Sequence, residues 1–138
     1  MPQLDNIIEL ARQHPDIAAL WLYGSRARGD HHEKSDYDLA VVFTSWLDNP
    51  LERRLRPEEI ALEWQHQLSM PDGALSVVDL AIAPVPLGWS VLSEGKLLLD
   101  KSSSQRMNVE QRIYSIWELD YVHADKIGGV NIKGPMPI

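Results

Sequence analysis

A glycine and a serine, Gly24-Ser25, stand ten residues ahead of an Asp36-x-Asp38 pair that leads into the apolar run LAVVF. Side chains one residue apart on a strand share a face, with backbone positions roughly 6–7 Å apart. Asp36 and Asp38 therefore point the same way, at the head of a row continued by Ala40 and Val42. A third acid, Asp79, sits inside the apolar stretch VVDLAI. Burying a carboxylate there is costly without a partner. If the two strands pair, the three acids could meet. At about 4 Å, each pair would repel by about 4 kcal/mol at an effective dielectric of about 20. Magnesium, a hard cation that takes oxygen ligands, would remove that repulsion. Two such ions suit phosphoryl-type transfer, because they can clamp both the attacking and the leaving oxygen.

The Gly-Ser bend supplies the other half of such chemistry. Gly24 lets the backbone approach a ligand closely. Ser25 is expected to cap a following helical turn, with its hydroxyl and the first N–H groups gripping phosphate oxygens. Arg26 and Arg28 add guanidinium forks suited to a triphosphate.

The elements that must position these groups can be read from the pattern. Leu4, Ile7, Ile8 and Ala11 recur at helical spacing, predicting a helix over 4–14. IAALWLY, 17–23, reads as a buried strand ended by the bend, and YDLAVVF, 37–43, as a second. Residues 45–56 read as irregular. Pro57 and the two glutamates after it predict a helix start, with the helix running to 69. LSVVDLAI, 75–82, reads as a third strand, 86–94 as a short helix stopped by Gly95, and 96–100 as a fourth strand. Val109, Ile113, Ile116, Trp117 and Tyr121 mark a long last helix. The order predicts an α/β (α+β) domain, a small mixed sheet with helices packed on it. It spans 1–125, and the Gly- and Pro-rich segment 126–138 is expected to be a flexible tail.

Composition narrows the function. The chain has 138 residues, 44% of them hydrophobic and 24% charged, enough to bury a core in one domain. It has no cysteine, which excludes disulfides, thiolate metal sites and a catalytic thiol. The net charge of -7 argues against strong direct nucleic-acid binding. The N-terminus carries acids and no long apolar run, so neither a signal peptide nor a membrane span is expected there, and a cytoplasmic location is. His31-His32 lacks a third ligand and reads as an exposed loop pair. Trp46 and Trp89, near loops, are the tryptophans most apt to touch a base or a partner.

The GS-x10-DxD pattern resembles the signature of polymerase-β-type nucleotidyltransferases. The chain is similar over nearly its full length to the minimal nucleotidyltransferase (MNT) group, above all to the antitoxins of HEPN/MNT toxin–antitoxin pairs. That resemblance implies a Mg2+-dependent transfer of AMP from ATP to a tyrosine of a HEPN ribonuclease toxin, with which the chain would form a hetero-oligomer. It implies Gly24, Ser25 and Arg26 at the nucleotide, and Asp36, Asp38 and Asp79 as catalytic metal ligands, with two Mg2+ ions. Two other readings stay open. One is a nucleotidyltransferase acting on an aminoglycoside, and the other is an antitoxin that works by binding alone.

Overall fold

The computed structural model describes residues 2–122. The expected tail, 126–138, lies outside the described residues. Four strands, β1 (Ile17–Tyr23), β2 (Tyr37–Phe43), β3 (Leu75–Asp79) and β4 (Lys96–Asp100), form one sheet in the order β3-β2-β1-β4. β1 runs antiparallel to both β2 and β4, and β2 runs parallel to β3. Apart from Asp38 near the start of β2, the two central strands are apolar, because both faces of the sheet are covered.

One face carries Leu20, Leu22, Leu39, Val41 and Val77, packed on Ile7 and Ala11 of helix α1 (Pro2–Gln13) and on Ile60 and Trp64 of α3 (Pro50–Gln67). The other face carries Ala19, Trp21, Ala40 and Val42, packed on Val91 of α4 (Val85–Glu94) and Ile113 of α5 (Ser103–Trp117). The result is three layers, with the sheet in the middle. A four-residue helix, α2 (Ser25–Arg28), follows β1, and a π-helical turn, Glu118–Val122, follows α5.

The third helix starts well before the expected Pro57. Asn49 caps it, its side chain accepting from the N–H of Leu51 at 2.9 Å and of Glu52 at 3.0 Å, and Pro50 opens the first turn. Pro57 therefore lies inside the helix. The segment expected to be irregular over 45–56 is helical from Pro50 onward. The third strand is also shorter than expected, because the chain turns at Asp79: the Asp79 carboxylate accepts from the Ala81 N–H at 3.0 Å, and the Asp79 carbonyl accepts from Ala83 N–H at 3.0 Å.

Candidate active site

The register of the β1–β2 pair brings the bend to the acids. Tyr23, the last residue of β1, lies opposite Asp38. The residues after Tyr23 thus emerge beside the start of β2, although 12 residues lie between Gly24 and Tyr37. Gly24 has φ 74°, and a Cβ added there would overlap the Asp38 carboxylate, with the carboxyl carbon only 3.2 Å away. Both the backbone angle and the space demand glycine.

Gly24 itself holds the N-cap position of α2, its carbonyl accepting from Ala27 and Arg28 N–H, each at 3.1 Å. Ser25 is the first helical residue and not the cap; no side-chain hydrogen bond caps α2. The Ser25 hydroxyl is therefore not committed to the helix end. Gly29 closes the turn in the left-handed conformation, at φ 84°.

Asp38 is half-buried, and burial pushes its carboxyl above the ordinary value. The Asp36 charge pushes the same way, and the Arg28 guanidinium partly offsets it. Tyr23 is also raised, first by burial and then by the Asp38 charge. Asp36 itself is exposed. Two mutually repelling acids at an open end of the sheet are a donor set that fits a divalent cation, with room for further oxygen ligands from a substrate.

Two expected site residues are placed elsewhere. Arg26 is buried and turned into its own loop. Its Nε donates to the Ser35 carbonyl at 3.0 Å, a terminal nitrogen donates to the Glu33 carbonyl at 3.2 Å, and the guanidinium lies 3.9 Å from the centre of the Tyr37 ring. It shapes the 29–36 loop from inside. Arg28 is the exposed arginine, within 3.4 Å of Asp30 and 3.9 Å of Glu94 at the end of α4.

Asp79 is the larger correction. In the parallel β2–β3 register Asp38 faces Ser76, and Asp79 faces Val41 three positions further on. At about 3.3 Å per residue that is about 10 Å along the strand, and an odd shift also turns the side chain to the opposite face. The electrostatic neighbours of Asp79 are Arg56, Arg53 and Arg112, not the other two acids. Among the described residues no three His, Cys, Asp or Glu side chains are grouped to hold a metal. The expected three-carboxylate centre does not fit this arrangement, whereas a two-carboxylate site does.

Sequence reasoning passed over Tyr23, Ser76 and Glu94 as neighbours of the site. Tyr23 carried a signal, as the strand residue directly before the bend; Ser76 and Glu94 carried none, because their positions depend on strand register and helix docking.

Comparison with known proteins agrees with the fold. The Polymerase beta, Nucleotidyltransferase family model matches residues 5–104. The chain is 35% identical over 101 residues to the protein adenylyltransferase MntA of Shewanella oneidensis, covering 71% of this chain and 67% of that protein. A crystal structure of a toxin–antitoxin with AMP-PNP superposes with TM-score 0.67 at 23% identity, over 93% of this chain and 94% of the other. A tri-AMPylated Shewanella oneidensis HEPN toxin in complex with MNT antitoxin matches with TM-score 0.63 at 24% identity, over 93% and 94%. These two structural likenesses speak for the fold. With the family model covering most of its length and an adenylyltransferase relative above 30% identity, the chain belongs to the polymerase beta nucleotidyltransferase family, in the minimal group that includes MntA.

Proposed function

We propose that the chain is an antitoxin that neutralises a HEPN-type ribonuclease toxin by transferring AMP from ATP to one of its tyrosines, in a complex with it. The observation that carries this reading is the seat of Asp38 against Gly24, which brings the Gly24-Ser25 bend and the Asp36-Asp38 pair together at one end of the sheet. The adenylyltransferase activity named for the relative supports the chemistry.

In this reading the Ser25 hydroxyl and the first N–H groups of α2 bind the outer phosphates of ATP. Arg28, exposed beside Asp38, meets the triphosphate in place of Arg26. Asp36 and Asp38 would hold Mg2+, which when bound neutralises triphosphate charge and orients it. The tyrosine hydroxyl releases its proton to solvent water as its oxygen bonds to the α-phosphorus, the bond from that phosphorus to the α–β bridging oxygen breaks, and pyrophosphate leaves. In this reading the partner supplies the surface around the acceptor tyrosine. No described helix is long and apolar enough to cross a membrane, and we place the reaction in the cytoplasm, where ATP is abundant.

The test is rescue of cells that express the toxin, by wild type and by the double variant Asp36→Asn, Asp38→Asn. Transfer predicts that the variant still binds the toxin but loses rescue. Rescue equal to wild type would leave binding alone as the mechanism.

A further inference from the structure

The corrected position of Asp79 draws attention to the opposite end of the sheet. β2 and β3 are parallel, and the crevice outside the carboxyl ends of parallel strands is where open α/β sheets bind ligands. Here that crevice holds two adjoining cavities, of about 520 and 470 Å³, that share Trp46 and Asp79 in their linings. The larger lies between the start of α3, the end of β3 and the start of α4. Its volume is in the range that takes a small organic ligand.

Three features of the lining specify the ligand. Asp79 is only 4% exposed, yet among the described residues it forms no salt bridge and accepts one backbone hydrogen bond, from Ala81. Its remaining acceptor capacity suits a ligand N–H group. Trp46 is 58% exposed, with the Arg53 guanidinium 4.1 Å from its ring centre, so a large aromatic surface stands open at the cavity rim. Arg53 and Arg54 line the larger cavity and Arg56 the smaller. Arg56 is buried over the Phe43 ring and donates to Ser45, while its Nε has no hydrogen-bond partner among the described residues. Glu58 is the one further acid of the larger cavity's lining.

A carboxylate for an amino-bearing ring edge, an indole for stacking and arginines for an anion together describe a nucleotide. The overall charge of -7 disfavours a polymer and favours a single nucleotide. We propose that this crevice is a second nucleotide site, separate from the Gly24–Asp38 edge, that takes a mononucleotide with its base against Trp46, its amino edge toward Asp79 and its phosphate toward Arg54.

The experiment is calorimetric titration of AMP into the Asp36→Asn, Asp38→Asn chain without divalent cation, so that the proposed transfer site is disabled. Adenosine and inorganic phosphate serve as separate arms. Saturable AMP binding is expected, weakened at least about tenfold by Trp46→Ala and by Arg54→Ala, each at an exposed position where folding is not at stake. Absence of AMP binding at millimolar concentration would overturn the proposal. So would equal affinity in all variants, or phosphate alone binding as tightly as AMP. The result is independent of the transferase reading: a chain that transfers AMP but whose crevice binds none loses only this inference, and the reverse loses only the other.

Discussion

Gly24 is the residue on which the edge geometry turns. Its φ of 74° and the Asp38 carboxylate packed against its α-carbon leave no place for a side chain. Gly24→Ala is expected to cost about 1–3 kcal/mol of stability from the strained backbone. It should also lower transfer by about 100-fold or more, because displacing Asp38 by even about 1 Å misaligns the reacting groups. Thermal melts and initial rates on the same preparation check both. Asp38 gives an opposite pairing of effects. Its folded-state pKa is raised above the ordinary 3.8 by burial and by Asp36. A carboxyl raised in the fold stabilises it fully only while protonated, below the unfolded value, and that contribution is lost as pH rises through the folded value. At neutral pH the ionised Asp38 is therefore a cost to the metal-free fold. Asp38→Asn should abolish transfer yet unfold at higher urea than wild type at pH about 7, with the difference shrinking toward pH about 3. A variant less stable than wild type at neutral pH would contradict the electrostatic account. The Gly24-Ser25 bend and the Asp36-x-Asp38 pair can be picked out of the sequence by residue type and spacing, and the structure seats Gly24 against Asp38. The fate of Arg26 was not legible there, since an arginine beside a phosphate-like bend reads the same whether it faces outward or inward.

At the scale of elements, Arg26 shows how the loop between β1 and β2 is built. Its bonds to the Glu33 and Ser35 carbonyls and its seat over Tyr37 fix the approach of Asp36 to the strand. Arg26→Ala should destabilise the chain by about 2–3 kcal/mol, the range for a hydrogen-bonded charge lost from a buried place. Arg26→Lys should recover little of it, since a lysine cannot reproduce the planar fork. Urea unfolding of the two variants against wild type checks this; a Lys variant as stable as wild type would mean that charge alone matters there. β1 and β2 were readable end to end, being apolar runs bounded by a bend and a polar loop. The start of α3 was missed because Pro57 with two glutamates imitates a first turn, while the true signal, Asn49 before Pro50, lay in a segment of mixed polarity. β3 was read too long because the turn after Asp79 is made by its own carboxylate and carbonyl, which an apolar pattern does not announce.

Across the whole molecule, the sheet sorts its chemistry by end. The antiparallel β1–β2 pair delivers the bend and two acids to one end, and the parallel β2–β3 pair opens an arginine-lined, tryptophan-rimmed crevice at the other. The mixed sheet with helices on it followed from the order of patterns. The assignment of Asp79 to the first end did not survive, because the register between two strands separated by an 18-residue helix is set by packing and leaves no mark on either strand alone. Partner chemistry belongs to this scale too, since the proposed acceptor lies on another chain. The most direct test is intact-mass spectrometry of the HEPN-type toxin after incubation with this chain, ATP and Mg2+. The account predicts a mass increase of whole AMP units, carried on tyrosine and absent with Asp36→Asn, Asp38→Asn. A toxin that is neutralised at unchanged mass would contradict it.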